Sequence, residues 1–217
     1  MYIDCHYPFE VLPLCFNPSL IKDFSCCGVF AYHHQDIYKR SVEKLNLLLA
    51  NYPDFHHFCL EELIFNQKYL PENIKNDVVF FASKVYNHQI FFNSLCNNSY
   101  LDFNLDIVKK LIDKYGNIEE FYKQFINTSM NFRYSGYVWV VCDNKKDVFI
   151  YITEKEDTLI EDNLYQLFGI DLWEHSYICC TDKKSYVCTF LNNLNWLYIN
   201  NEYLEAIITT RKTGGLL

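Results

Sequence analysis

The chain has 217 residues, half of them hydrophobic, which is enough for one good-sized domain or two small ones with an ample core. Its formal net charge of −8 argues against a surface that neutralises nucleic-acid phosphates, so direct nucleic-acid binding is not expected. No apolar run approaches the roughly 18 residues of a membrane span, so the sequence predicts a soluble protein with no membrane partner.

The ten cysteines are interpreted as reduced thiols of an intracellular protein. Two pairs, Cys26-Cys27 and Cys179-Cys180, are adjacent in sequence, and adjacent cysteines seldom bridge each other. The sequence contains no C-x-x-C pair, which argues against a thiolate zinc site. The first basic residue is Lys22, so neither a charged signal-peptide start nor an Arg-rich presequence is visible.

The first half of the chain predicts an extended arm followed by helices. Residues 1 to 17 are rich in proline and predict an arm lying on the body of the protein. From Ser19 to about Ala50 apolar residues recur at helical spacing, which predicts one long helix with a kink near Gly28. A short helix around 60–66 precedes a second long helix from about Glu72 to Leu95, with apolar residues near one face.

The stretch Asn97-Asn98-Ser99 is interpreted as the boundary between an N-terminal unit, residues 1–98, and a C-terminal unit, residues 99–217. Two further helices are predicted beyond it, over 104–115 and 118–130.

The periodicity then changes from helix to strand. β-branched and aromatic runs at 137–142 and 148–153 flank a hairpin-like turn, and the run from Tyr165 predicts a third strand. Residues 185–208 return to helical spacing. The predicted fold class is α+β: an N-terminal long helical hairpin followed by an α/β unit with a three-stranded antiparallel sheet.

A carboxylate and an imidazole follow the third strand. The apolar run 165–170 places Asp171 at the end of a buried strand and His175 in the loop or first helical turn after it. Both can turn onto one ion there. His33 on the first long helix and His88 on the second are candidate partners. Three imidazoles and one carboxylate suit iron or manganese better than a thiol-seeking metal.

These residues lie in a series of segments that resembles the iron/manganese superoxide dismutase family over nearly the whole chain. In chain order the segments are Phe30-Ala31-Tyr32-His33-His34, Lys44-Leu45-Asn46, Asn87-His88-Gln89-Ile90-Phe91-Phe92-Asn93-Ser94, Glu120-Phe121-Tyr122-Lys123-Gln124-Phe125, Ser135-Gly136-Tyr137-Val138-Trp139, Asp171-Leu172-Trp173-Glu174-His175-Ser176-Tyr177 and Asn195-Trp196. The resemblance implies His33, His88, Asp171 and His175 as ligands of one iron or manganese ion per chain, with a solvent molecule as the fifth ligand. It implies superoxide as the substrate.

The chemistry implied by the resemblance alternates the metal between M3+ and M2+, oxidising one superoxide to O2 and reducing the next to H2O2. Protons must arrive with the second electron, so the residues around the bound solvent matter as much as the ligands. In the preferred register the family's outer histidine falls on Ile37 and its gateway tyrosine on Ser41. An alternative register places Tyr38 near the gateway position but leaves no first ligand.

Other positions near the implied metal also depart from the family pattern. The glutamine of the iron-type enzymes falls on Lys84, and that of the manganese-type enzymes aligns loosely with Glu156, so these two residues are predicted to form an ion pair beside the metal. Tyr137, Trp139 and Trp173 are also placed near the metal, and Trp173 is the best candidate to wall the site.

Glu174 and Tyr177 match the family residues that bridge two subunits, so a homodimer is predicted. Ile37 cannot accept the bond that an outer histidine would, so the interface must differ and a heteromeric protein partner is the alternative. The favoured function is superoxide dismutase. The competing function is a non-catalytic subunit of the same fold in a larger assembly, such as the mitochondrial small ribosomal subunit, without a metal. We expect a mitochondrial protein, with the cytosol as the alternative.

Overall fold

The computed structural model describes residues 6–21, 24, 28–178, 180 and 182–208. The first long helical segment consists of α1 (Val29–Tyr32), a π-helical turn (His33–Tyr38) and α2 (Lys39–Leu49). The second consists of α4 (Lys75–Asn93), which follows the short α3 (Leu60–Phe65). Both α2 and α3 pack against α4, and this confirms the predicted N-terminal helical hairpin.

Helix α2 is amphipathic, whereas α4 is buried on several faces. On α2 the buried apolar residues are Val42, Leu45 and Leu49, three or four residues apart. Residues 85–88 and 90–92 of α4 are all buried, because α4 lies between α2 on one side and the sheet on the other. A side chain on α4 can therefore reach the interior from either side of the helix.

The first helix begins later than predicted. Ile21 has extended backbone angles, φ −107° and ψ 113°, so the predicted helix from Ser19 is wrong at its start. Gly28 has φ +68°, a left-handed conformation that glycine adopts without steric cost, and it caps α1 instead of kinking a longer helix. Residues 22, 23 and 25–27 of the predicted helix lie outside the described residues.

The described part of the predicted arm, residues 6–17, contains no helix or strand and lies on the first helical segment. The Phe9 N–H donates to Asn46 Oδ1 and the Phe9 carbonyl accepts from Asn46 Nδ2, both at 2.8 Å. The Leu12 N–H donates to the Tyr38 hydroxyl at 3.1 Å. Hydrogen bonds therefore hold the arm against the body, as predicted, and residues 1–5 lie outside the described part.

Three strands follow α5 (Asp106–Tyr115) and α6 (Ile118–Asn131). They are β1 (Gly136–Cys142), β2 (Val148–Glu154) and β3 (Tyr165–Asp171), and they form an antiparallel sheet in the order β2-β1-β3. Every residue of β1 is buried because it is the central strand and helices pack on it. The predicted three-stranded antiparallel sheet is confirmed.

The register of the sheet places Tyr137 beside Asp171 at one end of the sheet. Tyr137 pairs with Thr153 on β2 and with Asp171 on β3. Gly169 faces the Trp139 ring so closely that an added Cβ would lie 2.0 Å from a ring carbon, so no larger residue fits there. Strand β3 ends at Asp171, where the chain turns into the next helix.

The C-terminal helices are α7 (Glu174–Tyr177), α8 (Lys183–Asn192) and α9 (Trp196–Ile208). The predicted return to helix over 185–208 is confirmed by α8 and α9, and the chain leaves the helix between them at residues 193–195. Leu194 forms a β-bridge with Leu95 there, and the Asn195 N–H donates to the Ser94 carbonyl at 2.8 Å. These pairings with the end of α4 replace helical hydrogen bonds.

Helix α4 also contacts β3, so the two predicted units share an interface. The division at residues 98 and 99 stays a prediction. Among the described residues, none of the helices is both long enough and apolar enough to span a membrane.

Candidate metal centre

Four side chains from four separate segments converge on one point. His33 comes from the π turn, His88 from α4, Asp171 from the end of β3 and His175 from α7. The distances from Asp171 Oδ2 to the three Nε2 atoms are 3.2 Å for His33, 3.6 Å for His175 and 3.9 Å for His88. One ligand atom from each residue lies within 4.8 Å of the others, which is close enough for all four to bind one ion.

The four converging atoms are buried and have no hydrogen-bond partner in the part of the chain that the structure describes. Each of the three Nε2 atoms and Asp171 Oδ2 is inaccessible to solvent, and none makes an aligned hydrogen bond, although His33 approaches Asp171 to 3.2 Å. Buried polar atoms are normally paired, and leaving one unpaired costs about 1–3 kcal/mol. Four such atoms facing one point fit a bound cation, which would satisfy them all.

In His88, Asp171 and His33 the other polar atom of the side chain contacts the protein and orients the side chain. The His88 Nδ1–H donates to the Lys84 carbonyl at 2.7 Å, which leaves the Nε2 lone pair facing the centre. Asp171 Oδ1 accepts from the Trp173 N–H at 2.8 Å, which leaves Oδ2 free. His33 Nδ1 lies 3.5 Å from the Ser176 hydroxyl.

The electrostatics of the site favour ligand-competent protonation states. Burial lowers the pKa of His33 and of His88, which keeps both imidazoles neutral at neutral pH although Asp171 opposes the shift. For Asp171 burial alone would raise the pKa, but the adjacent His175 and His33 outweigh it and hold the pKa well below its usual range. Neutral imidazole and ionised carboxylate are the forms that bind metals.

Among the described residues, the donor set is three imidazole nitrogens and one carboxylate oxygen, with no thiolate. Such a set suits iron or manganese and disfavours metals that prefer sulfur. The structure brings together all four of the residues that the resemblance implied as ligands. Their role in holding a metal stays a prediction at this point.

The π turn changes which residues face the centre. The Lys39 N–H reaches the carbonyl of His34, five residues earlier, so the turn holds one residue more than an α-helical turn. Tyr38 is consequently buried, and its ring stacks on His88 with centroids 6.0 Å apart. Ile37 is half-buried, and the Ser41 hydroxyl donates to the Ile37 carbonyl at 2.7 Å within the helix.

Sequence reasoning in the preferred register missed Tyr38, because α-helical spacing from His33 leads to Ile37 and Ser41. The signal that could have found it is a tyrosine five residues after a candidate ligand. The roles of Ile37 and Ser41 near a metal stay predictions.

Lys84 and Glu156 lie together beside the ligand set. Lys84 Nζ is 3.8 Å from Glu156 Oε1, and their side chains are 20% and 3% exposed. The Tyr137 hydroxyl donates to Glu156 Oε2 at 3.0 Å. Burial raises the pKa of Glu156 to about 7, with a further contribution from the charge of Asp171. The predicted ion pair is thus present. Its influence on a bound metal stays a prediction.

A buried amide network, which the sequence did not signal, holds Glu156 in place. Asn87 Nδ2 donates to the Glu156 carbonyl at 3.1 Å, and Asn87 Oδ1 accepts from Gln166 Nε2 at 3.2 Å. Gln166 Oε1 in turn accepts from the Leu159 N–H at 3.2 Å. The loop after β2 is therefore fixed to α4 and β3 by side chains next to the ligands.

Aromatic rings surround the centre. Tyr137 stacks on Trp139 at 4.9 Å and presents its ring edge-on to His88 at 6.4 Å. Trp173 stacks on His175 with centroids 6.0 Å apart, which fits its predicted role as a wall of the site. Glu174 is exposed and Tyr177 half-buried on α7, beside His175, and their part in a subunit interface stays a prediction.

Comparisons with known proteins agree with this geometry. A family model described as iron/manganese superoxide dismutases, C-terminal domain, matches residues 104–202. A superoxide dismutase [Mn] 2 of Bacillus anthracis is 28% identical over 202 residues, which cover 92% of this chain and 96% of that protein. A superoxide dismutase [Mn/Fe] of Rickettsia typhi is 28% identical over 202 residues, covering 92% and 95%. A superoxide dismutase [Mn] 3 of Leptolyngbya boryana is 26% identical over 201 residues, covering 92% and 84%.

Proposed function

Because the chain belongs to the iron/manganese superoxide dismutase family, we propose that it converts two superoxide anions and two protons into O2 and H2O2 at one iron or manganese ion per chain. The observation that carries the proposal is the convergence of four buried, unpartnered ligand atoms from His33, His88, Asp171 and His175 within 4.8 Å. A fold kept only as a scaffold would gain no stability from burying these atoms without an ion.

A bound iron or manganese ion would supply the redox chemistry by cycling between two oxidation states that differ by one electron. The chain's own residues would hold it and control its surroundings. Asp171 brings one negative charge, and the neutral imidazoles leave room for net positive charge at the centre, which attracts an anionic substrate. The aromatic rings of Tyr38, Tyr137 and Trp173 exclude bulk water.

Protons must reach the second superoxide as it is reduced. Tyr38 is placed to take part, because its ring stacks on His88 and its hydroxyl accepts from the Leu12 N–H at 3.1 Å and lies 3.4 Å from Gln89 Nε2. These contacts leave the hydroxyl proton free to be donated. Burial raises the pKa of Tyr38, so the hydroxyl keeps its proton at neutral pH.

The similar proteins named above are described as [Mn] or [Mn/Fe] enzymes, and the donor set suits both metals, so the proposal includes either ion. Homodimer formation and a mitochondrial location stay predictions.

The test is metal analysis of the purified full-length chain combined with a superoxide-dismutation assay. We expect about one iron or manganese per chain and catalysed turnover. Asp171→Asn, which keeps the shape but removes the ligand charge, should lose both, whereas the surface change Asp147→Asn should keep both. A chain that turns over no superoxide when loaded with either metal would overturn the proposal, and co-purification of a metal-free chain with a large particle would favour the structural alternative.

A further inference from the structure

The pair formed by Lys84 and Glu156 is unusual because both charges lie at the edge of the interior. Charged side chains are seldom buried without a partner, and a buried ion pair by itself adds little stability. The 3.8 Å between Lys84 Nζ and Glu156 Oε1 is longer than a hydrogen bond, and Oε1 has no hydrogen-bond partner among the described residues. Stability therefore does not explain why the pair is there.

Both members contact the surroundings of the candidate metal centre, Lys84 through its main chain and Glu156 through Tyr137. The Lys84 carbonyl accepts the Nδ1–H of His88 at 2.7 Å. Glu156 accepts from Tyr137, which pairs with Asp171 across β1 and β3. The charge of Lys84 contributes to the lowered pKa of His88, and the charge of Asp171 contributes to the raised pKa of Glu156. The ammonium of Lys84 therefore acts on His88, and the carboxylates of Asp171 and Glu156 repel each other.

Their positions are fixed, and water screens them poorly. The Asn87 side chain holds the Glu156 carbonyl at 3.1 Å, and Lys84 is on a helix that is buried on several faces. Charges in such surroundings interact several-fold more strongly than charges in water. A cation at the centre would be repelled by the ammonium and attracted by the carboxylate.

We propose that Lys84 and Glu156 are a balanced pair of positioning residues that set the affinity of the centre for its metal ion and its reduction potential, each in the opposite direction from the other. This inference rests on the proposed function in requiring a metal ion at the four ligands. A neutral amide side chain at either position would bring no net charge to the centre. In this chain the opposite charges of Lys84 and Glu156 cancel there instead. Removing either one exposes the effect of the other.

The first experiment measures Mn2+ binding to the metal-free protein by titration calorimetry at pH 8, where the Glu156 carboxyl is mostly ionised. Lys84→Met removes the positive charge and should tighten binding roughly tenfold, whereas Glu156→Gln should weaken it roughly tenfold. The double variant should return to within about threefold of the wild type, because the two effects cancel. Lys114→Met is the matched control: it removes a lysine that pairs with Asp147 at the far end of the sheet, and it should change nothing.

The second experiment measures the midpoint potential of the metal-loaded protein. Loss of the ammonium favours the higher oxidation state, so Lys84→Met should lower the potential, and Glu156→Gln should raise it. A tenfold change in the relative affinity for the two oxidation states corresponds to about 59 mV for one electron. A residue with a merely structural role would not shift the potential in a direction set by its charge.

Shifts of the same sign in both variants, or no shift, in a wild-type background that binds Mn2+ would overturn the inference and leave the proposed function intact. A wild-type chain that binds no metal would overturn both. Near-ultraviolet circular dichroism checks the fold of each variant. If Lys84→Met does not fold, Lys84→Gln removes the same charge with a polar side chain and must show the same direction of change.

Discussion

At the scale of single residues, one polar atom of a ligand is bonded to the protein and another faces the centre. His88 and Asp171 show this division most clearly, through the Lys84 carbonyl at 2.7 Å and the Trp173 N–H at 2.8 Å. The bonded atom fixes the rotamer or tautomer, and the free atom would be the one that binds the proposed ion. Burying these free polar atoms without hydrogen bonds costs free energy of folding, and the residues that carry them lie far apart in sequence.

Glu156 should make the stability of the metal-free protein depend on pH. Its pKa is raised from 4.5 to about 7, chiefly by burial, so the folded state holds a proton that the unfolded state has released. The stability it contributes is fully present below about pH 4.5 and is lost as the pH rises through about 7.

Glu156→Gln should therefore be more stable than the wild type at pH 8, by up to about 3 kcal/mol at 1.36 kcal/mol per unit between the two pKa values, and similar to it at pH 4.5. Urea unfolding of both metal-free proteins across this range measures the difference. The exposed neighbour changed in Glu154→Gln is the control and should follow the wild type. A constant difference between Glu156→Gln and wild type at all pH values would contradict the expectation.

Tyr38→Phe removes the hydroxyl of Tyr38 and keeps its ring, so the variant tests the role of the hydroxyl alone. The ring should continue to stack on His88, so metal content should stay unchanged. Turnover should fall by about 10²-fold, the lower range for a positioned proton donor. Loss of the acceptor for the Leu12 N–H should cost about 1 kcal/mol of folding stability.

Metal content, turnover and urea unfolding of Tyr38→Phe test the three effects separately. Tyr52→Phe, which loses a hydroxyl that accepts from Asn73 at the surface, is the control for turnover. Unchanged turnover in a fully loaded Tyr38→Phe protein would show that the hydroxyl gives no proton to the reaction.

At the scale of elements, the π turn between α1 and α2 decides which side chains reach the centre. It brings His33 and Tyr38, five residues apart, to the same side, where α-helical geometry would bring residues three or four apart. A π turn is less stable than an α-helical one, so its presence beside a ligand fits a functional requirement.

Deletion of Gln35, an exposed residue inside the π turn, should convert the segment into continuous α-helix. One residue of α-helix turns the chain by about 100°, so His33 would rotate relative to α2. We expect the circular dichroism spectrum to be unchanged and the affinity for Mn2+ to fall by at least about 100-fold, beyond the cost of losing a supporting residue. Gln35→Ala keeps the chain length and should bind normally, and a deletion variant with wild-type affinity would disprove the role of the turn.

At the scale of the whole molecule, regular patterns were predictable and tertiary effects were not. Hydrophobic period distinguishes helices from strands, and it correctly predicted the helical hairpin and the three-stranded antiparallel sheet of an α+β fold. It cannot reveal the π turn, since the hydrogen-bond pattern of a helix leaves no mark on the hydrophobic pattern. The break at Leu194 likewise depends on a bridge to Leu95, almost a hundred residues away in sequence.

The candidate site likewise contains residues that the sequence could predict and contacts that it could not. His33, His88, Asp171 and His175 could be identified because a motif brings two of them close in sequence and the resemblance supplies the others. The network through Asn87 and Gln166 could not, because the two bonds made by the Asn87 side chain join residues tens of positions apart. Contacts of that kind follow from the folded arrangement and carry no local signal.

Metal binding should stabilise the whole molecule, because the ligands come from the N-terminal helices, the sheet and α7. The metal-free fold keeps four buried polar atoms without a hydrogen-bond partner among the described residues, and an ion that binds only the folded state would satisfy them. With free metal at 100 times its dissociation constant, linkage adds about 2.7 kcal/mol, which for a chain of this size raises the unfolding temperature by about 5–10 °C.

Calorimetric scans of the chain with and without Mn2+ measure that shift, with Asp171→Asn as the control that should show none. The wild-type shift should also grow with the logarithm of the metal concentration, since it arises from mass action. Equal unfolding temperatures for the wild-type chain with and without metal would mean that the four segments do not share an ion, whatever their distances in the folded chain.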